Sequence, residues 1–127
     1  MNILFLIGRI ILGGYFVMGG IRHFTNLSMM AGYAKSKGTP APAAATVGTG
    51  ILLVLGGLSF LLGVWPTIGG TLLVIFLLGV SFKIHDFWAV TDPQMKMNDV
   101  VNFTKNMGLL GAVLIIMTYP SPWPYSL

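Results

Sequence analysis

The chain has 127 residues, of which 55% are hydrophobic and only 8% charged, with seven basic residues, three acidic ones and a net charge of +4. A soluble domain carries about 25% charged residues, so water is not the main solvent of this chain. Cations without a basic patch and interleaved aromatics exclude a nucleic-acid surface, and the lack of cysteine excludes a dithiol relay, a thiolate metal site or an iron–sulfur cluster within the chain.

Long apolar runs separated by short polar breaks predict an all-α fold: an integral-membrane four-helix bundle, one domain over residues 1–127. The first span runs from about Ile3 to His23. No Lys or Arg precedes the apolar run and no small-residue cleavage site follows it, so it reads as a retained span rather than a signal peptide. Arg9, Phe16 and His23 are seven apart with Gly13 and Gly20 between them, which puts all five on one helical face. Arg9 lies inside this span. Two readings stand side by side: a snorkelling anchor, or an intramembrane functional charge.

Thr25 to Gly38 is short and amphipathic, with Leu27, Met30, Ala31 and Ala34 at helical spacing. It predicts a short interfacial helix between the first and second spans. Thr25 or Asn26 would cap it, Lys35 and Lys37 fall in its last turn, and Gly38 and Pro40 end it. The second span covers about 43–64 and is rich in glycine, which suits close helix packing in lipid. Trp65-Pro66 is a very short turn, so the second span and the third, about 67–84, must be antiparallel neighbours.

Asp92-Pro93 reads as a turn, and a fourth span follows over about 97–119. Its first turns are polar on one face, with Asp99, Asn102 and Asn106 spaced three and four apart. Gly108 and Ala112 form a small pair suited to helix contact. Prolines then end the helix, with Trp123 and Tyr125 at the interface.

Four spans place both termini on one side and the two longer loops on the other. Arg22, Lys35, Lys37, Lys83, Lys96 and Lys105 lie toward the loops, so the positive-inside rule predicts cytoplasmic loops and periplasmic termini in a bacterial inner membrane.

The stretch from Lys83 to Lys105 holds all three aspartates, three lysines and one of the two histidines. The topology brings His23, Lys83, His85, Asp86, Lys105 and Asn106 to one membrane boundary. Asp86 is expected as the counter-ion of Lys83, His85 or Lys105, because a charge in lipid needs a partner. With Trp88 and Phe87 as an aromatic wall, the group reads as a polar pocket. A histidine there can move protons near neutral pH, and a cation can hold an anion or a quinone carbonyl. The plainer reading is that these residues mark an interface and fix orientation. The histidines lack metal-motif spacing, and no metal is expected.

Arg9-Ile10-Ile11-Leu12-Gly13 with Phe16 and Gly19-Gly20, the glycine-rich second span with Gly56-Gly57, His85-Asp86-Phe87-Trp88, and Lys105-Asn106-Met107-Gly108-Leu109-Leu110-Gly111-Ala112 together resemble the DoxX family of small bacterial membrane proteins. The resemblance implies a four-helix membrane protein. Some relatives are associated with redox enzymes: a thiosulfate:quinone oxidoreductase in sulfur-oxidising archaea, and a membrane oxidoreductase complex in mycobacteria. It carries over no catalytic residue set.

Two functions remain open. One is a redox-associated subunit that binds a quinone or a small anion at the polar cluster and works with a partner redox subunit or as a homo-oligomer. With no cysteine and no haem-ligand pattern, its electrons must pass through a quinone, a partner or an external cofactor. The other is a non-enzymatic accessory or scaffold subunit of a larger membrane complex, favoured by small size and glycine-rich packing faces. Transport of a small molecule fits less well, because four short spans enclose little space.

Overall fold

Lipid offers the backbone no hydrogen-bond partner, so an apolar chain crosses it as helices that satisfy themselves. The computed structural model describes all 127 residues and contains no strand. It has α1 (Asn2–Thr25), α2 (Leu27–Ser36), α3 (Pro42–Leu62), α4 (Pro66–Lys83) and α5 (Pro93–Met117), with a 3-10 turn at Phe87–Ala89. Four of the helices are long and apolar enough to cross a membrane, and α2 is the short one between the first two of them. The protein is a multi-pass membrane protein whose long helices face lipid.

Glycine sets the closest contacts. A Cβ on Gly13 would sit 2.8 Å from Gly57 O, and a Cβ on Gly57 would sit 2.7 Å from Gly13 O. One turn-pair away, Gly20 meets Gly50 O in the same manner. The backbones of α1 and α3 therefore touch along two crossings, antiparallel, as only small residues allow. Between α3 and α4 the turn is tight. Gly63 ends α3 at φ 71°, a left-handed value that glycine adopts freely. The Ser59 hydroxyl donates to Val64 O at 2.6 Å and holds the turn closed.

The core joins Phe16 of α1, Leu53 and Phe60 of α3, Leu73 and Leu77 of α4, Val113 of α5 and Trp123 of the tail. The buried residues of α1 are Arg9, Gly13, Phe16, Gly20 and His23, the face with seven-residue spacing. On α2, Ala34 is buried and Leu27, Met30 and Ala31 are half-buried. Asn26 stands at the start of α2 without a side-chain cap.

Two expectations change. The fourth long helix begins at Pro93, not near Met97, and ends at Met117. Asp92 and Pro93 are not a free turn: the Asp92 carboxylate accepts from Met95 N–H at 3.0 Å, and proline occupies the first helical turn, where it has no N–H to leave unpaired. The Gly108–Ala112 pair makes no helix contact in this chain. Both residues are exposed, and nothing lies within 4 Å of a Cβ placed on Gly108.

The chain after α5 folds back over the end that carries the termini. Trp123 is buried against Phe5 and Phe60, with ring centroids 5.1 and 5.2 Å apart. The Leu127 N–H donates to Leu62 O at 3.0 Å. Arg9 is 1% exposed. It does not snorkel: its guanidinium donates to Pro124 O, and to Tyr125 O at 2.9 Å. A planar fork with several donors suits two adjacent carbonyls. Arg9 thus fastens the tail, at the end opposite the polar cluster.

Candidate functional site

The other end of the bundle, where α2 and the α4–α5 connection lie, collects the polar groups. Helical spacing on α2 puts Tyr33 and Lys37 one turn apart, facing α5. On α5 the same spacing sets Asp99 and Asn106 on one inward face, and both are buried. Asp99 is 1% exposed. Its Oδ2 accepts from Lys37 Nζ at 2.8 Å, and its Oδ1 accepts from Tyr33 OH at 3.1 Å and from His85 Nδ1 at 3.2 Å. Lys37 Nζ also donates to Asp86 Oδ1 at 2.9 Å. A buried carboxylate is tolerable when donors surround it in this way.

This overturns one expectation: Asp86 does not pair with Lys83, His85 or Lys105. Its partner is Lys37, and the counter-ion of His85 is Asp99. Burial lowers the pKa of Lys37, but the hydrogen bonds to Asp99 and Asp86 outweigh it and hold the ammonium above its ordinary value. Burial, then the hydrogen bond to Asp99, push the Tyr33 phenol up.

Both histidines are held by Nδ1. A carboxylate or carbonyl only accepts, so each Nδ1 carries the proton. His85 donates to Asp99, and His23 donates to Thr46 O at 3.0 Å, with Thr49 Oγ1 at 3.1 Å. In each ring Nε2 is left for another partner.

Two adjoining cavities meet at these rings. The first, about 560 Å³, lies among α2, α3 and α4 and is mainly apolar, with Leu52, Ile75, Phe76 and Val80 in its wall. Its polar groups include His23, His85, Tyr33, Lys83 and Thr39, whose buried Oγ1 has no protein partner. Ile75, Gly79 and Lys83, successive turns of α4, are exposed as well as lining it, so the wall opens toward lipid. The second cavity, about 370 Å³, lies between α1 and α5 and takes in Arg22, Lys105 and Asn106. His23, His85, Met29, Met30, Phe76 and Val80 border both.

The sequence-derived site residues thus divide. Lys83 belongs to the first cavity, Lys105 and Asn106 to the second, and His23 and His85 to both. Trp88 does not wall either one. It is exposed and packs against Phe82, Phe87 and Phe103 on the outside, because the 3-10 turn carries it away from the bundle axis. Arg9 is remote from the cluster. Sequence reasoning omitted Lys37, Tyr33 and Asp99 from the site. The Asp99–Asn102–Asn106 spacing was the available signal for Asp99. Lys37 looked like any cation at a helix C-terminus. No three His, Asp or Glu side chains gather as a metal would need.

The DoxX family profile matches residues 4–86, more than half of the chain. The chain belongs to the DoxX family. No curated protein and no solved structure matches it. The DoxX match covers α1 to α4 and ends at Asp86, so Lys105–Ala112 lies beyond it. The DoxX region therefore supplies the first cavity and both histidines, and α5 adds Asp99, the carboxylate that fixes one of them.

Proposed function

We propose that this DoxX-family protein is a redox-associated membrane subunit that takes a quinone headgroup in the first cavity, with the loop end of the bundle facing the cytoplasm. The observation that carries the reading is the cavity itself. It lies within the ~300–1,000 Å³ typical of small-molecule sites, is mainly apolar, opens toward lipid and has a few convergent polar groups. An amphipathic ring that dissolves in the bilayer fits that description. The cavity residues fit a quinone: His23 and His85 each keep Nε2 free, Thr39 Oγ1 is an unused hydroxyl, and Lys83 is a cation at the rim.

A bound quinone would supply two-electron, two-proton chemistry. The chain's own part is to orient the ring and handle protons. His85 Nε2 can take up a proton and pass it to the reduced ring, while Asp99 accepts the Nδ1–H bond and stabilises the transient imidazolium. Lys37 pairs with both Asp99 and Asp86 without entering the cavity wall. Electrons come from a partner redox subunit. The orientation follows from six of the seven cations lying toward the loops.

The test uses Gly79. A Cβ there meets nothing within 4 Å, and the residue lines the cavity. Gly79→Leu should fill the site without disturbing the fold. Native mass spectrometry of gently extracted wild-type protein is expected to retain a quinone mass that Gly79→Leu and His85→Gln lose. Retention of the quinone by Gly79→Leu would remove this cavity from consideration.

A second reading, an accessory subunit in a larger complex, rests on the exposed Gly108–Ala112 face of α5, where a partner helix could approach closely. It expects Gly79→Leu to be fully active in cells, and Gly108→Leu to lose co-purifying subunits.

A further inference from the structure

The cavity between α1 and α5 has a different chemistry from its neighbour. The helices pack in the order α1, α3, α4, α5, but the ring does not close: no Cα of α1 lies within 8 Å of a Cα of α5. Near the termini the seam is stopped by Phe5, stacked on Tyr119 at 4.0 Å, and by Trp123. Near the loops it widens into the 370 Å³ cavity. The inner wall there is apolar, with Phe16, Leu53, Leu77 and Leu109.

The rim is cationic and amide-rich, with Arg22, Asn26, Lys105 and Asn106, and no carboxylate lines it. None of the chain's ion pairs involves Arg22 or Lys105. The nearest use of Lys105 is a 3.3 Å hydrogen bond to Asn102. Asn106 is only 5% exposed and borders the cavity.

We propose that this seam binds an acidic phospholipid. Its phosphate sits among Arg22, Lys105 and Asn106, and an acyl chain fills the cleft between α1 and α5. Three observations support that occupant. The cations match an anion, and a guanidinium suits phosphate oxygens in particular. The cavity runs from polar rim to apolar wall, as a lipid does from headgroup to chain, whereas a free anion leaves Phe16, Leu53 and Leu109 uncovered. Exposed Tyr15 and Arg22 border the cavity, so it is reached sideways from the bilayer. The lipid would complete the ring of helices. This site is separate from the quinone reading and stands whether or not the first cavity takes a quinone.

The test uses the intact protein, delipidated in neutral detergent, with phosphatidylglycerol, phosphatidylcholine or inorganic phosphate as the probe. Native mass spectrometry and thermal unfolding are the readouts. Phosphatidylglycerol is expected to bind at one per chain and raise Tm, with the other two probes ineffective. Arg22→Gln with Lys105→Gln should weaken that binding roughly twenty-five-fold, taking about five-fold for each basic residue near an acidic lipid. Both side chains are exposed, so this double variant keeps the core intact.

Gly19→Leu should block the seam independently, since a Cβ there meets only Leu53 Cδ1 at 3.8 Å. Gly79→Leu should leave lipid binding unchanged. Equal binding of phosphatidylcholine, or phosphatidylglycerol binding that survives both the double variant and Gly19→Leu, would overturn the proposal. Protection by inorganic phosphate alone, equal to that of phosphatidylglycerol, would overturn it in favour of a free-anion site.

Discussion

Lys37, at the end of α2, and Asp99, on α5, meet at 2.8 Å across 62 residues of chain. The same ammonium reaches Asp86 at 2.9 Å, so one cation serves two carboxylates and ties α2 to the far side of the bundle. Lys37→Met would leave Asp99 buried without its cation. Losing one partner of a buried pair costs about 3–5 kcal/mol. Asp86→Asn should cost about 1 kcal/mol or less, because that side chain is 25% exposed and Lys37 keeps Asp99. Unfolding in sodium dodecyl sulfate, followed by helical ellipticity, measures both. Equal losses for the two variants would mean that Asp99 is not the dominant partner.

The same contacts set an alkaline limit. Lys37 is held above its ordinary value of 10.5, and Tyr33 above its ordinary 10.0. In both cases the folded state binds the proton more tightly than the unfolded state. Their contribution is therefore complete below about pH 10 and is lost as pH rises through the folded values. Stability from these two groups is expected to be level near neutrality and to fall above about pH 10. Tyrosine absorbance through the same range should show one phenol ionising late, absent in Tyr33→Phe. A phenol titrating at its ordinary value would remove the contact with Asp99.

Arg9 should be needed for the tail and not for the cluster. Arg9→Met leaves the Pro124 and Tyr125 carbonyls without donors, a loss of about 1–3 kcal/mol. Trp123 would then leave its slot between Phe5 and Phe60, and carboxypeptidase trimming should accelerate. Arg9→Lys should rescue only in part, since an ammonium lacks the guanidinium fork. Quinone retention is expected to be unaffected, because Arg9 borders neither cavity.

Packing of α1 on α3 should be intolerant at one glycine and tolerant at its neighbour. Gly57→Ala puts a Cβ 2.7 Å from Gly13 O, and backbone cannot swing aside. The expected cost is about 1–3 kcal/mol. Gly14→Ala meets nothing within 4 Å and should be neutral or slightly stabilising. Comparable losses at both positions in the same detergent titration would contradict the crossing.

Much of the architecture was legible because its causes are local. Apolar length marks spans, and the seven-residue spacing of Arg9, Phe16 and His23 marks one face of α1, the face that is buried. The start of α5 was misjudged by about a turn because a carboxylate cap and a proline look the same in a turn and at a helix N-terminus. At the site, His23, His85, Lys83, Lys105 and Asn106 were visible as polar residues at one boundary. Trp88 was misassigned because proximity in sequence to His85 says nothing about which way a 3-10 turn faces.

By itself the sequence determined that this is a helical membrane protein with four spans, a short helix between the first two, and its charge gathered at the loop end. Hydropathy and helical periodicity act over a few residues, and both are written along the chain. The tertiary structure alone decided which charges meet. Lys37 reaches Asp99 and Asp86, His85 reaches Asp99, and Arg9 reaches carbonyls of the tail. It also decided that the histidines stand between two cavities. Those choices depend on the rotation of α2 and α5 about their axes and on the close approach of α1 to α3 through glycine, and only the assembled bundle sets them.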